Sequence, residues 1–150
     1  MMILAIESSC DETSAAVVLN QTILSNELFS QIKHHKEFGG VVPEIASRLH
    51  AEFIDKIIKK ALDKANVSLS DLTHIAVTVG PGLEGSLLVG ITAANMLANA
   101  LKIPVVPVNH LHGHMFSVLS EHKLKDQALA CIASGGHTML VHLKNKTTFN

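Results

Sequence analysis

MILAIESSCDETSAAVVLNQTILSNEL (residues 2–28) is the stretch that settles the architecture. Met2–Glu7 is a short apolar run, and it breaks off in SSCDETS, a polar segment of small side chains. Ala15–Leu19 and Thr22–Leu28 are two more strand-like runs, separated only by Asn20-Gln21, a pair suited to a tight turn. The stretch therefore predicts an opening meander of three strands. Phe29–Val42 is polar, contains Gly39-Gly40 and reads as a loop.

The elements that follow are built around this meander. Pro43 opens a long amphipathic helix with Ile45, Leu49, Phe53, Ile57 and Ala61 along one face, and Asn66 suits its end. Ile75–Val79 is the next strand, GPGLEG a loop, and Ser86–Leu101 a buried helix. Ile103–Val108 is a strand, followed by a helix from His110 to about Glu121, which completes a βββαβαβα series. The plan then restarts, with Leu129–Ala133, the turn SGGHT and Met139–Leu143 again spelling strand, small polar turn, strand. Two such lobes facing each other form an actin-like, sugar-kinase-like α/β fold (ribonuclease H-like lobes) that holds a nucleotide in the cleft. Residues 1–125 are expected to be the first lobe, a mixed sheet flanked by helices. Residues 126–150 are expected to begin a second, truncated lobe.

The composition narrows the class. With 150 residues, 47% hydrophobic and 17% charged, the chain has enough apolar side chains for a real core and is too apolar for disorder. It has five Phe and no Trp or Tyr, so the core is aliphatic and base-stacking platforms are scarce. A net charge of −1 offers no basic field of the kind that announces nucleic acid. Cys10 and Cys131 form no CxxC or disulfide framework, and MMILAIESSCDE lacks the basic start of a signal peptide. The most apolar stretch, residues 86–101, falls short of the ~20 residues that span a bilayer and contains Asn95 and Asn99. A cytoplasmic protein with no membrane partner is expected.

Four motifs could carry chemistry. In NHLHGH, His110 and His114 stand four apart, on one face of a helix, where two imidazoles can close on one metal ion. A third ligand must come from elsewhere, and from spacing alone a solvated histidine-rich turn remains an alternative. ESSCDETS (7–14) offers exposed amides at a tight turn, the kind of backbone that holds phosphate, or else an ordinary acidic hairpin. Its Asp11 and Glu12 suit a metal, a water or an amine better than a bare phosphate. GPGLEGS (80–86) approaches a P-loop but lacks its lysine, which disfavours a nucleotide kinase or GTPase. SGGHT (134–138) brings glycine backbone, hydroxyls and an imidazole to one turn. In GGVVPEIASRLH (39–50), Glu44 and Arg48 form a helical i,i+4 pair, and Lys56, Lys59, Lys60 and Lys64 beyond it read as a solvated face.

IESSCDETSAAVV, GGVVPEIASRLH, VGPGLEGSLLVG, VNHLHGH and SGGHT, in this order and spacing, closely resemble the amino-terminal half of the TsaD family. These are tRNA threonylcarbamoyladenosine transferases, once labelled glycoproteases. The resemblance implies transfer of a threonylcarbamoyl group from threonylcarbamoyl-adenylate, made with ATP, to the N6 amine of the adenosine beside the tRNA anticodon. It implies His110 and His114 as ligands of one divalent metal, iron or zinc, completed by an Asp of the second lobe. It implies Ser134, Gly135, Gly136, His137 and Thr138 as the substrate-binding turn, and Asp11 as the acidic catalytic residue near the cleft. The implied partners are tRNA, a TsaB-like paralogue, a small TsaE-like ATPase and the synthase that supplies the adenylate. His112 departs from the family, which often has an acidic residue there. The family is about twice this length, so the chain is expected to be a portion that does not catalyse transfer unaided.

Two other readings compete with this one. A non-catalytic TsaB-like scaffold shares the lobe but lacks the paired histidines. A metallopeptidase of the HExxH kind needs a Glu beside the first histidine, where this chain has Leu111.

Overall fold

A computed structural model describes residues 1–121, 127–134 and 137–144. Met1–Val108 forms one compact unit and Asn109–Asn150 another, so the helix beginning at His110 belongs to the second unit. The sequence reading had placed that helix with the first lobe.

The opening meander forms as expected. β1 (Met2–Glu7), β2 (Glu12–Leu19) and β3 (Thr22–Ser30) pair antiparallel in sequence order. Asn20 makes the β2–β3 turn with φ 56°, a left-handed conformation that asparagine tolerates better than most residues. β4 (His74–Gly80) adds to the other side of β1 in parallel, and β5 (Val105–Asn109) follows it. The sheet order is β3-β2-β1-β4-β5, with β1 at the centre. The strands are longer at the turn end than the apolar runs suggest, since β2 begins at Glu12 and β3 runs to Ser30. Polar residues there pair through the backbone, which hydropathy does not register.

Two long helices cover this sheet, α2 (Pro43–Ala65) and α3 (Glu84–Leu101). Proline occupies the first turn of α2, where its missing N–H costs nothing. Asn66, in the left-handed conformation, ends it. The core is aliphatic, made by Leu4, Ile6, Val17, Ile54, Ile58, Leu62, Ile75 and Val77. The buried seam of α2 runs through Ala46, His50, Ile54, Ile57, Ile58, Ala61 and Leu62. Ile45, Leu49 and Phe53, expected at its centre, are only half-buried at its edge. The seam includes His50, a polar residue that an apolar pattern does not register.

Residues 29–42 are more ordered than a loop. They contain a short helix, α1 (Ile32–His35), and a 3-10 turn at Lys36–Phe38. The reason is a buried polar chain. The Val42 amide donates to His35 Nδ1 (3.4 Å), His35 Nε2 meets Gln31 Oε1 (3.0 Å), and Gln31 Nε2 donates to the Ala46 carbonyl (3.3 Å). The charged face of α2 is exposed as expected, and two of its lysines also reach the sheet. Lys60 and Lys64 each place Nζ 2.6 Å from the carboxylate of Glu27, a buried residue of β3. They tie the helix to the sheet, whereas the expected Glu44–Arg48 pair forms on the exposed surface at 2.6 Å. Among the described residues, no helix is long and apolar enough to cross a membrane.

In the second unit, α4 (His110–Glu121) packs on the antiparallel hairpin of β6 (Ala128–Ser134) and β7 (His137–Leu143). Met115, Ile132, Val141 and Leu143 are buried there, with Leu111 packed against them.

Candidate functional site

The turn between β1 and β2 is held from three sides within the first unit. The Ser9 carbonyl accepts the Leu83 amide (2.7 Å), the Cys10 carbonyl meets His50 Nε2 (3.0 Å), and the Asp11 carbonyl accepts the Gln31 amide (3.0 Å). Three consecutive carbonyls are thus fastened to the start of α3, to α2 and to the end of β3. A trans peptide sets N–H opposite C=O, so the amides of Cys10, Asp11 and Glu12 are turned away from these anchors. Polar turns of this kind can bind anions through successive backbone amides, and here the Asp11 amide also meets the Cys10 sulfur. Below the turn, the Glu7 carboxylate accepts the Ser9 amide and the Thr78 hydroxyl (2.6 Å). The Ser8 hydroxyl donates to the Ser86 carbonyl (2.8 Å).

The glycines of GPGLEGS and its helix serve this packing. A Cβ on Gly82 would sit 2.5 Å from the Ser9 carbonyl oxygen, and one on Gly90 would overlap the Ser8 hydroxyl. The motif lets α3 approach the turn.

Asp11 is half-buried at the tip of the turn. Beside it, desolvation of the sulfur and the hydrogen-bonded Asp11 carboxylate push the Cys10 thiol up to about 11, although the Asp11 amide pulls the other way. At neutral pH Cys10 is a thiol, not a nucleophilic thiolate. His50 is fully buried, with Nδ1 2.7 Å from the Thr13 hydroxyl. Burial holds its imidazole below the ordinary value, against the pull of the Cys10 carbonyl and the Glu7 and Asp11 carboxylates.

In the second unit, the side chain of Asn109 caps α4 by accepting the Leu111 amide (2.9 Å) and the His112 amide (3.4 Å). Leu111 and Met115, four apart, face the hairpin. The adjacent row, His110 and His114, lies beside that contact. Their Nε2 atoms converge to 3.0 Å, with ring centroids 4.4 Å apart and planes at 77°. Two nitrogens that share an ion at about 2.0–2.1 Å each must lie within roughly 4 Å of one another, so the pair fits as two ligands of one metal. Among the described residues, no cluster of three His, Cys, Asp or Glu surrounds a common point. His112 is about 200° round the helix from His110, on another side from the converging pair. Leu111, standing where a metallopeptidase needs its Glu, is committed to the apolar cluster.

Of the expected substrate turn, Ser134 and Thr138 are exposed, and Ser134 pairs with His137 at the hairpin end. Gly135 and Gly136 lie outside the described residues. Asp11 belongs to the first unit, and the histidine pair and hairpin to the second.

A five-stranded mixed sheet with helices packed on it, a polar turn after the first strand and a second hairpin unit define an actin-like, sugar-kinase-like α/β protein. Solved structures agree on the fold. YeaZ from Pseudomonas aeruginosa superposes with a TM-score of 0.67 at 22% identity, over 98% of this chain and 63% of that one. The Aquifex aeolicus PPX-GPPA enzyme does so with a TM-score of 0.51 at 13% identity, over 100% and 51%. The family is given by sequence: residues 22–150 match the model of TsaD, tRNA N6-adenosine threonylcarbamoyltransferase, and the chain belongs to that family. Relatives bearing that name include one from Clostridioides difficile, 56% identical over 95% of this chain and 43% of its own length. Another, from Staphylococcus aureus, is 52% identical over 99% and 44%. The chain thus spans less than half the length of these relatives.

Proposed function

We propose that this chain supplies the nucleotide-facing turn and two metal ligands of an enzyme that transfers threonylcarbamoyl from threonylcarbamoyl-adenylate to the N6 amine of the adenosine beside the tRNA anticodon. The observation that carries the reading is the His110–His114 pair, with Nε2 atoms converging at 3.0 Å, in a chain of this family. In the reaction the amine attacks the carbamoyl carbon, the bond to the adenylate oxygen breaks, AMP departs with the electron pair, and the proton lost from N6 passes to the Asp11 carboxylate or to water.

Each residue set has a task. The Cys10, Asp11 and Glu12 amides receive phosphate oxygens by N–H donation, which favours the charge that builds on the leaving group. The Asp11 carboxylate accepts a hydrogen bond from an amine, which suits it to hold the attacking N6. Ser134, Gly135, Gly136, His137 and Thr138 form the substrate turn. His110 and His114 would hold a divalent iron or zinc ion through Nε2, with further ligands from outside the described residues. When bound, the metal supplies Lewis acidity to a carbonyl oxygen. The proposal includes a cytoplasmic setting, tRNA, a TsaB-like paralogue, a small TsaE-like ATPase and the adenylate synthase as partners.

The test is transfer of labelled threonine to tRNA by a protein of full family length that carries these residues, with ATP, bicarbonate and those partners. The H110A/H114A variant is expected to lose both the label and the bound metal. Label retained by the variant removes the metal role. No label from the parent removes the transferase reading.

A further inference from the structure

His50 closes the segment GGVVPEIASRLH, for which the proposed reaction has no use, yet it is fully buried and bonded at both ring nitrogens. Its partners settle its state. The Cys10 carbonyl can only accept, so Nε2 carries the proton. Nδ1 is then the acceptor, and the Thr13 hydroxyl donates to it. One neutral ring therefore spans the tip of the turn at Cys10 and the strand that leaves it at Thr13.

The other two carbonyls of the turn are held by backbone amides, those of Leu83 and Gln31. The middle one, at Cys10, is held by a side chain. An apolar residue at position 50 would complete the core seam between Ala46 and Ile54 equally well. It would also leave a carbonyl and a hydroxyl without partners, the expensive way to lose a hydrogen bond. Core packing therefore does not explain a histidine here, and turn geometry does.

We propose that His50 is the positioning residue of the β1–β2 turn, its neutral imidazole spanning Cys10 and Thr13 so that the turn keeps the backbone conformation in which it meets a phosphate-type anion. The conformation is a claim about the turn itself, and the anion rests on the function proposed above.

Two measurements on the 15N-labelled chain separate these claims. Without ligand, the Cys10–Glu12 amides are expected to be as ordered as β1, to loosen in H50A, and to tighten again in H50Q, whose amide offers the same donor and acceptor. With inorganic pyrophosphate as probe, the same amides shift. The Kd rises about tenfold or more in H50A, the loss of one buried hydrogen bond, and H50Q recovers most of it. If H50A lowers the melting temperature but leaves turn order and pyrophosphate affinity unchanged, His50 is a core residue only and the proposal is overturned. If pyrophosphate moves none of these amides in the wild type, the anion is wrong. The ordering comparison then still decides whether His50 positions the turn.

Discussion

A cysteine at a turn beside a proposed transfer site invites a nucleophilic role, and its surroundings argue against one. Desolvation and the Asp11 carboxylate hold the Cys10 thiol near 11, so almost none is thiolate at neutral pH. The expected outcome is slow alkylation of Cys10 by iodoacetamide at pH 7.5, rising steadily through pH 10. D11A removes both the hydrogen bond and the charge, and should speed alkylation at pH 7.5 severalfold. Mass spectrometry of the Cys10 peptide reads both effects, and rapid labelling of the wild type at pH 7.5 would show a thiolate after all. The histidines divide in the same way by surroundings. His50 is a buried, neutral structural ring, whereas His110 and His114 turn their Nε2 atoms toward each other beside a packed row. Spacing in the sequence singled out the second kind, because i,i+4 histidines are visible as a pattern. It could not single out His50, whose partners lie 37 and 40 residues away.

At the scale of elements, GPGLEGS looked like a failed nucleotide loop and is a packing joint. Gly82 lies against the Ser9 backbone, which cannot rotate away as a side chain would, so a methyl there must move the turn or α3. G82A is expected to destabilise the chain by about 1–3 kcal/mol, the usual cost of overpacking. G40A, where nothing lies within 4 Å of the added carbon, serves as the control and should stay within about 0.5 kcal/mol. Urea midpoints compare the two, and equal midpoints would refute the joint. What was legible here followed from local chemistry: the Asn20 turn, Pro43 opening α2 and Asn66 closing it. What was not legible depended on contacts distant in sequence. The Gln31–His35 chain made structure out of a polar segment read as loop. The solvated face of α2 held, but the buried partner of its Lys60 and Lys64, Glu27, lay 33 and 37 residues away. The hairpin pairing Ser134 with His137 was visible in its glycines, which by themselves imply no ligand, because Gly-Gly turns need none.

For the molecule as a whole, among the described residues, His50, Glu27 and Asp71 of the first unit all have lowered pKa values, so all three act in the same direction as pH falls. Burial lowers His50, so the unfolded chain takes up a proton on that ring at about pH 6.5 while the folded one still excludes it. The hydrogen bonds and charges of Lys60 and Lys64 lower Glu27, so the unfolded chain again protonates first, in the ordinary carboxylate range. Wherever the unfolded state binds more protons, stability falls as pH falls. His50 therefore contributes fully above about pH 6.5, and its contribution declines below that with a slope of at most about 1.4 kcal/mol per pH unit. Glu27 adds a second decline that begins near pH 4.5 and ends below its folded value. Urea unfolding from pH 8 to pH 3 should show a plateau and then two successive losses. H50Q should abolish the first loss and keep the second, because Gln has no proton to gain. E27Q should keep the first loss, shrink the second to the share left by Asp71, and be less stable than the wild type at pH 7, where the lysines would have lost their carboxylate. A wild-type profile that stays flat from pH 6.5 to pH 5 would mean that His50 is charged or solvent-accessible in the folded chain. That would remove the neutral ring on which the geometry of the β1–β2 turn depends.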